Sequence, residues 1–166
     1  MTAPADYTYR QLVRADVRLL KDLLRVFGEA FGEIATYQHS VPGDDYLGRL
    51  LGKPHFIALV AMAGEEVVGG LAAYELDKFE QDRREIYIYD LAVAERHRRR
   101  GIAGRLIDQL KGIASDRDVY VMFVQADPDD APAIALYASL GTQETAHHFD
   151  IAVPASSRRR RDRQFP

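Results

Sequence analysis

The 166-residue sequence contains no cysteine. Disulfides, thiolate metal ligands and a cysteine nucleophile are therefore excluded, and a reducing, cytoplasmic setting is expected. No apolar run approaches the ~20 residues of a membrane span, and the first residues show no signal-peptide core, so no membrane partner is expected. Internal repeats are absent. His147 and His148 are adjacent, so on a strand they would point to opposite faces. No carboxylate–histidine spacing accompanies them, and no metal is expected.

What remains is an ordinary globular composition, 47% hydrophobic and 28% charged, long enough for one domain with a real core. Residues 1–155 read as that single domain. Residues 156–166 read as an Arg-rich, disordered tail carrying Arg158, Arg159, Arg160, Arg161 and Arg163. The net charge of −3 hides this asymmetry; without the tail, 17 Lys+Arg face 24 Asp+Glu, about −7. An acidic body fits a cationic substrate or simple solubility. The tail itself could serve nucleic acid or an anionic surface, but a nucleic-acid partner is not the expectation.

The hydrophobic periodicity reads as mixed strands and helices. Tyr7 to Val13 suits a strand, and Asp16 can cap a helix bearing Leu19, Leu20, Leu23, Leu24, Phe27 and Phe31 on one face. Gly28 and Gly32 weaken its end, Glu33–Gly43 reads as a loop, and Asp44 and Asp45 start a short helix. Phe56–Met62 and Val67–Leu76 form a hairpin around Ala63-Gly64-Glu65, and Ile86–Val93 forms the central strand. A helix follows with Ile102, Leu106, Ile107, Leu110 and Ile113. Val119–Gln125 is apolar enough for a strand buried on both faces. Pro132 opens a helix carrying Ile134, Leu136, Tyr137 and Leu140, and Thr142–Val153 reads as a last strand. The expected class is α/β or α+β, with helices on both faces of one sheet.

Between the central strand and its helix lies Arg98-Arg99-Arg100-Gly101-Ile102-Ala103-Gly104. A helix N-terminus offers free N–H groups and the positive end of a dipole. The three arginines add full charges, and Gly101 and Gly104 permit close approach of a ligand to the backbone. The stretch reads as a phosphate cradle, with a solvated basic patch or nucleic-acid contact as the alternative.

The turn follows the pattern Arg/Gln-x-x-Gly-x-Gly/Ala, and the chain thereby resembles the GCN5-related N-acetyltransferases (GNAT). Leu91-Ala92-Val93 is similar to that family's strand end, where a bulge splays the sheet. Pro132 to Gly141 is similar to its later helix, whose tyrosine sits near the cofactor sulfur. Phe31–Tyr37, Asp45–Gly48, Leu71–Tyr74, Lys78–Glu80, Glu85–Val93 and His148–Ile151 resemble the aminoglycoside 3-N-acetyltransferases of the gentamicin-resistance class. The resemblance implies a largely antiparallel sheet splayed at its central strand, and acetyl transfer from acetyl-CoA to the 3-amino group of a deoxystreptamine aminoglycoside. It also implies a cofactor site of Leu91, Ala92, Val93, Arg98 to Gly104 and Tyr137. Two features depart from the pattern. The family commonly ends in a two-stranded hairpin, whereas one strand's length follows Gly141, and the Arg tail is foreign to it. A second subunit, in a homodimer, is the expected means of closing the acceptor cleft.

The reaction needs a base to free the acceptor's lone pair. Asp90, a charge inside an apolar strand, is the candidate, against a structural ion pair or a buried hydrogen-bond acceptor. Simple alternation puts Asp90 on the face of Ile86 and Ile88, but a bulge would break that parity. A backbone N–H near Leu91 can polarise the acetyl carbonyl. Tyr137 can protonate the thiolate, against a core tyrosine. For a polycationic acceptor the acidic candidates are Glu33, Glu80, Glu85, Asp127 and Asp150, with Asp44, Asp45, Asp129 and Asp130 as weaker, partly capping choices. Tyr37 and Phe79 offer stacking surface or loop anchors. The remaining alternatives are a polyamine, small amine or protein N-terminus as acceptor, a CoA-binding module without catalysis, or a basic-tailed nucleic-acid binder.

Overall fold

A computed structural model describes residues 6–154. The Arg-rich stretch 156–166 lies outside the described residues. The chain divides after Asp129 into two compact units, taken separately below.

The first unit is a five-stranded sheet in the order β1 (Tyr7–Gln11), β2 (Phe56–Ala63), β3 (Glu66–Asp77), β4 (Arg84–Val93), β5 (Val119–Val124). All pairs are antiparallel except β4 and β5, which run parallel. That geometry requires a crossover, supplied by helix α4 (Ile102–Asp116).

Alternation along β2 sorts side chains into two cores. Phe56, Ala58 and Val60 pack with Leu20, Leu23, Phe27, Leu47 and Leu51 from α1 (Val17–Phe31) and α3 (Asp44–Leu51). Ile57, Leu59 and Ala61 pack with Ile102, Leu106 and Leu110 of α4 on the opposite face. Leu23, Leu106 and Leu110 are fully buried, each contributing ~1.5–3 kcal/mol. The sheet thus has helices on both faces, as expected.

Several expectations change in detail. Asp16 precedes α1 but does not cap it, because its carboxylate accepts from Val13 N–H (2.9 Å) and Arg10 (2.6 Å). Within the expected loop, Ile34–Gln38 forms a short helix, α2. Gly28 is the reason α2 can lie close to α1: a Cβ there would stand 3.2 Å from Tyr37 Cβ. Strand β5 is not buried on both faces, since Tyr120 is 66% exposed and Val121 and Phe123 are also exposed.

At the far end of β3, Glu75 accepts from both Arg84 and Arg117, each at 2.8 Å, and Arg117 also reaches the Pro54 carbonyl. Burial alone would raise the Glu75 pKa, but the two arginine bonds prevail and hold its carboxyl below 4.5. Stability from this cluster is therefore present above the unfolded value and is lost as pH falls through the lower folded one. Glu75→Gln should lower the thermal midpoint at neutral pH. The gap from wild type should close as pH drops through and below 4.5, which melts across a pH series measure directly.

The second unit begins with α5 (Ala131–Ala138). Asp130 caps it by accepting from Ala133 N–H at 3.0 Å, with Pro132 in the first turn. The expected strand over 142–153 does not form. Phe149, Ile151 and Val153 are 78–87% exposed, so their alternation finds no apolar layer to face. Periodicity alone does not make a strand without a partner edge.

Candidate active site

The site is set by a defect in β4. Ala72 pairs with Asp90 and Ala73 with Ile88, leaving Tyr89 as one extra residue. This β-bulge reverses the strand's parity. Before it, Ile86 and Ile88 face the α4 core; after it, Leu91 and Val93 do so, while Ala92 joins the core beneath α1. Asp90 consequently leaves the Ile86/Ile88 face and turns toward α2, where Tyr37 donates to its Oδ1 at 3.1 Å. No ion pair involves Asp90 among the described residues. Burial pushes its pKa up, the Tyr37 bond pulls it down, and nearby Glu33 raises it again; the balance is upward.

The same region opens a backbone edge. β5 pairs with β4 only as far as Ile88 opposite Val124. Beyond that, β4 has β3 alone. Ala94 N–H bonds to Val68 O at 2.8 Å, so strand alternation turns Leu91 and Val93 N–H away from β3, into the gap. Among the described residues this leaves Leu91 N–H without a β3 partner, one residue from Asp90.

The basic turn is built differently from its sequence reading. A 3-10 turn, Glu95–His97, leads into it. Arg98 Nε folds back onto Val93 O at 3.1 Å. Arg100 donates to Tyr7 Oη at 3.1 Å, Tyr7 Oη and His97 Nδ1 share a hydrogen bond at 2.9 Å, and Arg96 Nε donates to His97 Nε2 at 3.2 Å. Burial, then Arg96 and Arg100, lower the His97 pKa, which suits a neutral ring whose Nε2 accepts from Arg96 and whose Nδ1–H donates to Tyr7. These contacts tie β1 to the turn across about ninety residues of sequence, and no local signal announces them.

The turn also offers backbone donors beside its arginines. Gly101 precedes α4 at φ 77°, and Arg99 holds φ 62°, a conformation that costs a non-glycine residue ~1 kcal/mol or more. The first helical turn has no side-chain cap and no acidic residue, and Arg105 N–H is the first to bond back, to Gly101 O at 3.1 Å. A Cβ on Gly101 or Gly104 would meet nothing within 4 Å, so open volume lies over the turn. An uncapped positive helix end beside an unpaired strand edge fits a pyrophosphate joined to an amide-bearing arm.

The other site candidates scatter. Glu33 lies at the α2 start, accepting from Thr36 at 3.0 Å, within electrostatic reach of Asp90 and Tyr37. Glu80 and Glu85 both pair with Lys78, at 3.3 and 3.5 Å, and Phe79 is wholly exposed. Glu85 stands five residues before Asp90, roughly 16 Å along the strand. Asp127 is exposed after β5. In the second unit Asp150 sits in non-strand backbone, not the apolar strand expected, bonded to His148 at 3.2 Å. Tyr137 is partly buried on α5; burial, then the Asp130 charge, push its pKa up.

The bulged central strand, splayed parallel neighbour and uncapped Gly-containing helix start agree with the arrangement that the sequence resemblance implies. The chain belongs to the acetyltransferase (GNAT) family, whose model matches residues 20–142. The chemistry of that family is acetyl-CoA-dependent N-acetyl transfer. Among curated proteins the chain is similar to N-acetyltransferase 8B of Rattus norvegicus, 30% identical over 90 residues, covering 54% of this chain and 40% of that protein. The match thus spans about two fifths of the length of that relative. Among solved structures it is similar to an aminoglycoside acetyltransferase from an uncultured soil metagenomic sample, with 54% identity and a TM-score of 0.88, covering 90% of this chain and 99% of that one. A second aminoglycoside acetyltransferase from such a sample, in complex with sisomicin, shows 28% identity and a TM-score of 0.81 over 89% and 97% of the two chains. No helix among the described residues is long and apolar enough to cross a membrane.

Proposed function

We propose that this protein is an aminoglycoside 3-N-acetyltransferase. It would move the acetyl group of acetyl-CoA onto the 3-amino group of a deoxystreptamine aminoglycoside, by direct transfer in a ternary complex. The observation that carries the reading is the half-buried Asp90, turned by the bulge to stand beside a backbone donor without a β3 partner. The near full-length similarity to an aminoglycoside acetyltransferase supports the acceptor class.

Bound acetyl-CoA supplies an activated thioester; the rest is done by the chain. The α4 amides from Ile102 to Gly104 would hold the pyrophosphate, and the Leu91–Val93 edge would hold the pantetheine arm. Leu91 N–H would offer a hydrogen bond to the acetyl carbonyl oxygen as negative charge grows there. Asp90 takes a proton from the acceptor ammonium and so frees its lone pair. Its raised pKa brings the carboxylate closer to neutrality and makes it a better base. By the family resemblance alone, Tyr137, whose pKa is raised by burial and the Asp130 charge, would be the group to protonate the thiolate. Glu33 and Asp90 together draw the cationic acceptor to this end of β4. The paired Glu80 and Glu85 have part of their charge neutralised by Lys78 and contribute less.

In this reading residues 1–155 are one acetyltransferase domain working in the cytoplasm as a homodimer. The exposed apolar side chains of β5, Tyr120, Val121 and Phe123, support a subunit contact.

The test is thiol release from acetyl-CoA over a panel of aminoglycosides, polyamines and N-terminal peptides, with NMR of the product. Turnover with gentamicin-like substrates and a new amide at the 3-amino position is expected. Turnover only with polyamines or peptides would move the protein to another acceptor. CoA binding without turnover on any amine would remove catalysis from the reading.

A further inference from the structure

The short helix α2 was unexpected, and its tyrosine meets the candidate base. Resting on the reading of Asp90 as the base, we infer that Tyr37 is a positioning residue: its hydroxyl donates to Asp90 Oδ1 and leaves Oδ2 free to take the acceptor's proton. A carboxylate on a strand rotates about χ2 with little cost, so one fixed bond decides which oxygen faces the acceptor.

Tyr37 is itself firmly held. Its ring stands 5.9 Å from Phe27 in an edge-on contact and 5.7 Å from Phe31. The next residue, Gln38, donates to the Arg25 carbonyl of α1 at 3.2 Å, and Gly28 gives the pair room to approach. The hydroxyl is thus carried by an aromatic cluster that makes no contribution to the chemistry. Burial, then the Asp90 charge, raise the Tyr37 pKa, so it stays a donor across the working range.

The groups facing Asp90 are few. Glu33 and Tyr37 approach from the α2 side, Tyr74 from β3 and Tyr87 from β4 itself, while α1 presents the Phe27 and Phe31 rings toward Tyr37. Of these, Tyr37 is the group that favours the ionised carboxylate; burial and Glu33 oppose it. Removing the Tyr37 hydroxyl therefore raises the pH at which Asp90 ionises. The ionised form is the one that accepts a proton, so activity would be lost at a higher pH as the solution is acidified.

Tyr37→Phe is the test, because it keeps the ring against Phe27 and Phe31 and deletes only the donor. In ligand-free protein the Asp90 carboxyl carbon, followed by carbon-13 NMR, should titrate about one pH unit higher in the variant. The acid limb of kcat/KM should move by the same amount, kcat at neutral pH should fall roughly 10-fold, and the KM for acetyl-CoA should stay unchanged. An unmoved NMR midpoint, or an unmoved acid limb in an enzyme that Asp90→Asn inactivates, overturns the inference. Near-normal turnover of Asp90→Asn overturns the base assignment instead, and the NMR midpoint still decides whether Tyr37 and Asp90 are coupled.

Discussion

Asp90→Asn should lower kcat by ~10²-fold or more while leaving the protein at least as stable at neutral pH. The two halves of this expectation have separate causes. The amide is nearly isosteric with the carboxylate and its oxygen still accepts from Tyr37, so the geometry at the bulge persists. It has no useful basicity, so the acceptor ammonium keeps its proton. Stability follows from the sign of the shift. A folded pKa raised above the unfolded value means that folding opposes ionisation. Such a group contributes stability below its unfolded pKa, and that contribution is lost as pH rises through the folded value. At neutral pH the substitution removes a cost. Steady-state kinetics and thermal melts on one preparation check both. A large loss of activity with an unchanged or higher melting point is the expected pair, and turnover within a few-fold of wild type would take the base role away from Asp90.

The second large effect is expected at Gly104. This residue lies in the first turn of α4, which has no acidic residue and no capping side chain. Space above it is open, since a Cβ at this position would have no neighbouring atom within 4 Å. For the fold alone, Gly104→Asp is favourable. It trades glycine for a residue better in a helix by only roughly 0.3 kcal/mol, and puts a negative charge at the positive end of the helix, typically worth ~0.3–1 kcal/mol. For a phosphate cradle the same change is harmful, since a carboxylate then occupies the place of the pyrophosphate and repels it. The melting point should rise, while the Kd for CoA measured by calorimetry should weaken by ~10²-fold, the loss of one or two charge-assisted bonds. Stability and binding moving in opposite directions would separate a cofactor cradle from an ordinary helix start. Unchanged CoA affinity would remove this turn from the donor site.

Much of the scaffold was legible because its signals are local. The 3.6-residue stripe of α1, the apolar β2 and β3 around Gly64 and the strand–turn–helix around Gly101 each announce themselves within a short window. The Asp130–Pro132 cap did so as well. Other features carried no such signal. The α2 helix forms where the chain reads as loop, because Gly28 and two phenylalanines of α1 offer Tyr37 a surface to pack on. Arg98 and Arg100 read as phosphate ligands in sequence, and nothing local shows that Arg98 Nε also meets the Val93 carbonyl and Arg100 Nη1 also meets Tyr7 of β1. Residues 142–153 alternate like a strand and remain without one, because pairing needs an edge that periodicity does not provide.

By itself, the sequence determined the groups available to the chain: a glycine turn opening a helix without acidic residues, a carboxylate inside an apolar strand, and no thiol to offer another nucleophile. Only the tertiary structure decided what that carboxylate meets. A single extra residue at Tyr89 inverts the parity of β4 and carries Asp90 from the α4 face to the α2 face. A period of two has no memory across an inserted residue, and the insertion is visible only as a shift in register against β3.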